Sequence, residues 1–230
     1  MPAEQATAKA AAAPSRLVVF DFDGTLADTW RDIATALNRT LAEVGLPGVE
    51  GPDVRFWIGD GAFKLLERAA PAENRGDLTL EQLFEVFRDH YDRCLLDTTE
   101  PYRGIVECLD ALAGADLAVA SNKPTRFLAR AIDGLGLKGY FAVVLGGDTL
   151  DVRKPDPRVL EHVVERLGAR PSQVWFVGDS AIDIETGQNA NARTIGCAWG
   201  LRGREELRSA RPDYLVEAPD EIPPLVLGTA

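Results

Sequence analysis

The stretch LVVFDFDGTLADT, residues 17–29, decides the fold predicted for this chain. Its first four residues, Leu17 to Phe20, are apolar and mostly β-branched or aromatic, which predicts a buried β-strand. Asp21 and Asp23 follow directly. Because side chains alternate along an extended chain, residues two apart point the same way. We therefore expect the two carboxylates to face one point just past the end of the strand.

The proximity of Asp21 and Asp23 predicts a further partner at this point. At about 4 Å and an effective dielectric constant near 20, the repulsion between two carboxylates is roughly 4 kcal/mol. A bound cation, a shared proton or a turn that separates the groups would relieve it. A divalent metal ion is the hypothesis that fits two carboxylates best.

The length and composition limit the possible number of domains and the possible binding partners. A chain of 230 residues with 46% hydrophobic residues can form one sizeable domain, or a domain with a smaller insert. Its net charge of −11 argues against nucleic acid and anionic membrane surfaces as partners, because both bind basic patches. No apolar run approaches the roughly 18 residues of a membrane span.

The cysteines and the first residues predict a cytoplasmic location. Cys94, Cys108 and Cys197 are odd in number and lack CxxC spacing, which is typical of free thiols in a reducing compartment. Residues 1–15 contain no leucine-rich apolar block, so a secretory signal is not expected. We interpret residues 1–15 as a disordered tail.

Residues 28–99 show helical periodicity without an intervening strand. Asp28 is predicted to cap a first helix that stops at Gly45. Helices are also predicted over residues 61–70 and 79–95 from the spacing of their apolar residues. The segment therefore reads as a helical block.

After Pro101 the pattern changes to alternating helices and strands. Such alternation implies a parallel sheet that is covered by helices on both faces. The strand at Leu17 is of the same type, so the helical block is an insert. The prediction is an α/β protein with a Rossmann-like core at residues 16–27 and 100–230 and an all-helical cap at residues 28–99. Its later strands are predicted at residues 117–120, 141–145, 174–177, 194–198 and 214–216.

Polar residues follow four of the predicted strands, and the carboxyl ends of parallel strands meet in one crevice. Alone, each of these residues has an ordinary interpretation, because aspartate and serine are common in turns and helix caps. Together they share a chemical theme. They are Asp21 and Asp23 after the first strand, Ser121 and Asn122 after the second, Lys154 after the third, and Asp179, Ser180 and Asp183 after the fourth.

The theme is phosphoryl transfer through a covalent intermediate. A carboxylate such as Asp21 attacks phosphorus, and Asp23 protonates the leaving oxygen and later deprotonates the attacking water. An ammonium group and hydroxyl or amide donors hold the other phosphate oxygens. Magnesium fits as the metal because the available ligands are oxygens, with no sulfur or imidazole among them.

Four segments resemble, in order, the motifs of the haloacid dehalogenase-like hydrolase superfamily. They are DFDGTLADT at residues 21–29, SNKP at 121–124, KPDP at 154–157 and GDSAIDI at 178–184. The helical block after the first motif is similar to the small helical cap of that superfamily.

This resemblance implies a role for each acidic residue. Asp21 would be the nucleophile and Asp23 the general acid and base. Asp21, Asp179 and the backbone carbonyl of Asp23 would bind Mg²⁺. Asp183 and Ser180 would support the metal through water or hydrogen bonds.

The resemblance also implies how the phosphate is bound. Ser121 and Lys154 would stabilise the phosphate and the intermediate. Gly24, Thr25 and Asn122 would also contact the substrate. The partner is then a small phosphorylated metabolite, and the protein is expected to be a monomer or a homodimer.

Within the superfamily, three segments are most similar to phosphoglycolate phosphatases. They are VRFWIGDGAFKLLERA at residues 54–69, SNKPTRF at 121–127 and GGDTLDVRKPDP at 146–157. The implied function is a magnesium-dependent 2-phosphoglycolate phosphatase. The segment 186–192, TGQNANA, departs from the alanine-rich helix common in the family. We expect a weaker helix there, since glycine costs about 1 kcal/mol relative to alanine.

Three residues of the helical block are candidates to contact the substrate. Asp60 lies in a Gly-Asp-Gly turn, and Arg55 and Lys64 flank it. The competing interpretation is an ordinary turn with solvated basic side chains.

Other functions stay open on this scaffold. A phosphoglucomutase-like sugar-phosphate mutase or another small-metabolite phosphatase would use the same aspartyl-phosphate. A dehalogenase is less favoured, because the acid at Asp23 suits a phosphate ester. A regulatory binder that retained the fold is the non-enzymatic alternative.

Overall fold

A computed structural model describes residues 16–170 and 173–228, so the predicted tail at residues 1–15 lies outside the described residues. The strands are β1 Leu17–Phe20, β2 Ala27–Asp28, β3 Glu100–Pro101, β4 Asp116–Ala120, β5 Val143–Leu145, β6 Val174–Gly178, β7 Arg193–Cys197 and β8 Tyr214–Val216.

The helices fall into two groups. Four lie between β2 and β3: α1 Trp30–Glu43, α2 Gly51–Arg55, α3 Ala62–Ala69 and α4 Leu80–Cys94. The others alternate with the later strands or follow them: α5 Ile105–Ala111, α6 Thr125–Gly134, α7 Arg158–Leu167, α8 Ala181–Asn189, α9 Gly203–Ala210 and α10 Ile222–Leu227.

A six-stranded parallel sheet forms the core, in the order β5-β4-β1-β6-β7-β8. Strand β1 lies in the middle, with Leu17 opposite Asp116 on one side and Val174 on the other. All four β1 side chains are fully buried, which explains their apolar character. The predicted α/β fold with a parallel sheet and a helical insert is confirmed.

Strand β5 is shorter than predicted. The prediction began it at Phe141, whereas it begins at Val143 after a short 3₁₀ turn at Lys138–Tyr140. Its register places Val143 opposite Ala118 and Leu145 opposite Ala120. β5 is an edge strand that pairs with β4 alone, so fewer of its residues form hydrogen bonds within the sheet.

The helical insert enters and leaves through a two-stranded antiparallel ribbon. Ala27 pairs with Pro101 and Asp28 with Glu100. The prediction that Asp28 caps the first helix is therefore wrong. Asp28 belongs to β2, Thr29 precedes α1, and the Asp28 carboxylate instead accepts a hydrogen bond from Arg31 at 2.9 Å.

Asp32 anchors the two ends of the insert to each other. Its carboxylate is buried, with an exposed fraction of 1%. It accepts hydrogen bonds from the backbone N–H and the hydroxyl of both Thr98 and Thr99, at 2.6 to 3.0 Å. The first turn of α1 is thereby tied to the segment that follows α4.

Gly187 does not interrupt the helix in which it lies. Helix α8 is continuous from Ala181 to Asn189. A Cβ atom at position 187 would lie 2.4 Å from Cγ2 of Thr194 on β7. The glycine therefore allows α8 to approach the sheet closely, which offsets its low helix propensity.

Among the described residues, no helix combines the length and the apolar character needed to cross a bilayer.

Replacing Asp32 by alanine is expected to lower the free energy of unfolding by about 3 kcal/mol or more, because buried backbone donors would lose a charged acceptor. Chemical denaturation followed by circular dichroism measures the change. Asp89→Ala is the control, since this carboxylate on α4 is exposed and its loss is expected to cost less than about 0.5 kcal/mol. Equal denaturation midpoints for the two variants would contradict the anchoring role.

Candidate active site

Asp21 and Asp23 lie where β1 ends, as the sequence predicts. The Asp21 N–H continues the ladder by donating to the Val177 carbonyl of β6 at 2.9 Å. The chain then turns sharply, with the Gly24 N–H bonded to the Ala27 carbonyl at 2.9 Å. Both carboxylates are buried, with exposed fractions of 2% for Asp21 and 8% for Asp23.

The turn after Asp23 requires a glycine. Gly24 has a φ of +86°, which side chains rarely adopt, and a Cβ atom there would lie 2.3 Å from Oδ2 of Asp179. The missing side chain lets the loop after β1 pack directly on the aspartate that follows β6.

Lys154 lies between two aspartates from different loops. Its Nζ is 2.8 Å from Oδ1 of Asp21 and 2.6 Å from Oδ1 of Asp183, and its side chain is 1% exposed. Oδ2 of Asp183 accepts hydrogen bonds from the Ser180 hydroxyl at 2.6 Å and the Ser180 N–H at 3.1 Å. The start of α8 thus fixes Asp183, and Asp183 holds the ammonium group against Asp21.

Asp179 is held by two donors. Its Oδ2 accepts the Leu201 N–H at 2.7 Å, and its Oδ1 accepts the Thr25 hydroxyl at 3.3 Å. The role of Leu201 cannot be predicted from the sequence, because a backbone donor leaves no signature in residue type. These bonds aim the Asp179 carboxylate at Asp21 across the gap between neighbouring strands.

Asp21, Asp179 and Asp183 form a cluster in which one oxygen from each lies within 4.8 Å of the others. Burial raises the pKa of Asp21 to about 6 against the pull of Lys154, and the charge of Asp183 adds to the rise. Burial, together with the charges of Asp183 and Asp21, raises the pKa of Asp179 well above its usual range. Three buried carboxylates share one ammonium group, so the cluster favours an additional cation.

The donor set fits a hard divalent cation such as Mg²⁺. All three donors are carboxylates, which this ion prefers. Oδ1 of Asp21 is buried and, within the described residues, has its ion pair with Lys154 but no hydrogen bond of acceptable geometry. The family resemblance implies that Asp183 supports the metal through water or hydrogen bonds, and its carboxylate oxygen lies within 4.8 Å of those of Asp21 and Asp179.

The Asp23 carboxylate points to a different partner. The Nζ of Lys123 lies 2.9 and 3.2 Å from its two oxygens and donates to the Tyr91 hydroxyl at 2.7 Å. Neither residue has a role predicted from the sequence: Lys123 is part of the SNKP motif, and Tyr91 lies in the helix predicted over residues 79–95. A lysine beside the predicted phosphate-binding Ser121 and Asn122 was the available signal.

A small cavity of about 40 Å³ lies between the core and the helical insert. From the core, Asp21, Asp23, Ser121 and Lys123 line it. The insert contributes mainly apolar groups, which are Ile33, Ile58, Gly59, Gly61, Ala62, Leu65, Phe87 and Tyr91.

The other predicted phosphate-binding residues form hydrogen bonds within and between the loops around the cavity. The Asn122 amide donates to the Gly59 carbonyl at 3.0 Å and accepts the Lys154 N–H at 3.0 Å, so it joins two core loops to the insert. The N–H groups of Gly24 and Thr25 bond within their own turn. Of the predicted set, Ser121 lines the cavity, whereas Gly24, Thr25 and Asn122 do not belong to the described residues that line it.

The three candidates from the insert are placed elsewhere. Arg55 donates to the Gly200 carbonyl at 2.8 Å, and Asp60 forms ion pairs with Arg68 and Arg202. Lys64 is exposed and pairs with Glu67. None of Arg55, Asp60 and Lys64 is among the described residues that line the cavity. Arg55 and Asp60 instead join the insert to the loop after β7.

Comparison of the sequence with known protein families assigns the chain to a family of hydrolases. The model of the haloacid dehalogenase-like hydrolase family matches residues 18–197, so the chain belongs to that family. Its relatives place it in the phosphoglycolate phosphatase-like group of phosphatases.

Two of these relatives are named phosphoglycolate phosphatase. The protein from Psychrobacter arcticus is 37% identical over 219 residues, covering 92% of this chain and 94% of the relative. The protein from Aquifex aeolicus is 38% identical over 209 residues, covering 90% and 94%. A crystal structure of a predicted phosphoglycolate phosphatase from Haemophilus somnus 129PT superposes with a TM-score of 0.85 at 29% identity, covering 94% of this chain and 98% of that one.

Mg²⁺ is expected to raise the melting temperature of the protein, because a ligand that binds only the folded state stabilises it. Asp179→Asn is expected to melt higher than the wild type in EDTA, since a buried negative charge is removed, and to lose the Mg²⁺ response. Differential scanning fluorimetry with and without Mg²⁺ measures both effects. The control, Asp151→Asn, changes an exposed carboxylate and keeps the response. A Mg²⁺ shift of wild-type size in Asp179→Asn would exclude Asp179 as a ligand.

Proposed function

We propose that this protein is a magnesium-dependent phosphomonoester hydrolase that works through an aspartyl-phosphate intermediate and acts on 2-phosphoglycolate. The observation that carries the proposal is the buried Asp21 carboxylate at the end of β1, 2.8 Å from Lys154 and clustered with Asp179 and Asp183. The names of the relatives support the choice of substrate.

The first half of the reaction is assigned to Asp21 and Asp23. An Asp21 oxygen attacks phosphorus and forms the acyl phosphate, while the bond from phosphorus to the ester oxygen breaks. Asp23 gives its proton to that oxygen, and the alcohol leaves. In the second half, Asp23 takes a proton from water, the water oxygen attacks phosphorus, and phosphate and free Asp21 are released.

Lys154 stabilises the charge that develops on the phosphoryl oxygens. Burial alone would lower its pKa, but the charges of Asp183 and Asp21 raise it above its ordinary value, so Lys154 remains an ammonium ion. Asp21, Asp179 and the Asp23 carbonyl are the ligands that we assign to Mg²⁺, with Asp183 beside them. When bound, the ion offsets the negative charge of the carboxylates and of the phosphoryl group.

The helical insert excludes water from the reacting groups. Its apolar side chains close the cavity above Asp21 and Asp23, and the β2–β3 ribbon is the hinge about which it would open for substrate.

We assign the protein to the cytoplasm, because its three cysteines are buried free thiols, as expected in a reducing compartment.

Asp21→Asn is expected to lower the release of phosphate from 2-phosphoglycolate by roughly 1,000-fold or more, because an amide is a poor nucleophile. Initial rates with Mg²⁺ are compared with those of the exposed control Asp151→Asn, which should match the wild type. Circular dichroism verifies that both variants are folded. An Asp21→Asn enzyme that keeps more than about a tenth of the rate would rule out the covalent mechanism.

2-Phosphoglycolate is expected to have the highest kcat/KM in a panel with hexose phosphates, nucleotides and pyrophosphate. The physical reason is that the cavity closed by the insert is small and largely apolar, which disfavours a bulky polar leaving group such as a hexose or a nucleoside. Phosphate release is measured for each compound with Mg²⁺. A preference for hexose phosphates or nucleotides would overturn the assignment of the substrate while leaving the mechanism intact.

A further inference from the structure

Lys123 is the only cationic side chain among the described residues that line the cavity. Lys154 lies deeper, paired with Asp21 and Asp183. Lys123 belongs to the loop after β4, and its side chain is 3% exposed. A cation so placed has a stronger effect on a ligand than a surface lysine, because little water screens it.

The partners of Lys123 come from both the core and the insert. Its ammonium group bonds to the Asp23 carboxylate and donates to the Tyr91 hydroxyl of α4. It also lies 4.7 Å from the centre of the Tyr91 ring and 5.9 Å from that of Phe22. These contacts fix the direction of the ammonium group at the cavity wall.

Asp23 relates this ammonium group to the substrate. In the proposed reaction Asp23 protonates the ester oxygen, so the carbon bonded to that oxygen lies beside Asp23. The Nζ of Lys123 is 2.9 Å from Oδ1 of Asp23. A group attached to that carbon therefore lies within reach of the Lys123 ammonium group. The part of the cavity wall that the insert contributes is mainly apolar.

We propose that Lys123, oriented by Tyr91, binds an anionic group on the leaving group and makes the enzyme select phosphate esters of small hydroxy acids over neutral esters of the same size. This inference rests on the proposed phosphomonoesterase function and names the class of its substrates. The alternative is that Lys123 only positions Asp23, in which case every ester depends on it equally.

The experiment compares 2-phosphoglycolate with ethyl phosphate, in which a methyl group replaces the carboxylate. The wild type is expected to prefer 2-phosphoglycolate by roughly 30-fold or more in kcat/KM. Lys123→Met removes the charge and keeps a side chain of similar length. It is expected to lower kcat/KM for 2-phosphoglycolate by roughly 100-fold and that for ethyl phosphate by less than about tenfold, so that most of the preference is lost.

Two further variants separate recognition from general effects. Lys138→Met removes an exposed lysine that pairs with Asp133, and the ratio of the two kcat/KM values should stay at its wild-type level. Tyr91→Phe keeps the ring and removes the hydroxyl group that Lys123 contacts. Its ratio should fall between those of the wild type and Lys123→Met.

Equal losses for both esters in Lys123→Met would overturn the inference and leave Lys123 as a positioning residue for Asp23. A wild-type enzyme without preference for 2-phosphoglycolate over ethyl phosphate would overturn it as well, even if the variants failed to fold. Failure of the proposed function would give a different result. In that case, Asp21→Asn would not lower the hydrolysis of either ester.

Discussion

The contact on which the site depends is the buried Lys154 ammonium between Asp21 and Asp183. Strands β1 and β6 are neighbours in the sheet, so their carboxyl ends bring three aspartates into one water-poor space. Without the ammonium group, the repulsion among these carboxylates would work against folding. The same excess of negative charge gives the folded protein its expected affinity for a divalent cation.

A second ammonium group separates the roles of the two acids on the opening loop. Asp21 faces Lys154 and the carboxylate cluster, whereas Asp23 faces Lys123 and the helical insert. Two residues of the same type, two positions apart, thus acquire different surroundings. This difference is the physical basis for assigning one as nucleophile and the other as acid and base.

The insert is joined to the core by more than its ribbon. The Arg55 and Asp60 side chains bond to the loop after β7, and the Asn122 amide bonds to the Gly59 carbonyl. These polar contacts surround a cavity whose walls on the insert side are apolar. The insert can therefore pack closely on the core without placing its own charges next to Asp21 and Asp23.

The sequence by itself determined the sheet, the insert and the acidic residues at the strand ends, because apolar runs and helical periodicity reflect burial and are local properties of the chain. It could not show that Lys123 contacts Tyr91, that the Leu201 N–H binds Asp179, or that Lys64 pairs with Glu67 at the surface. Those facts depend on how distant segments pack. Tertiary structure decided them, since the direction of a side chain in a loop is set by neighbours that are far away in sequence.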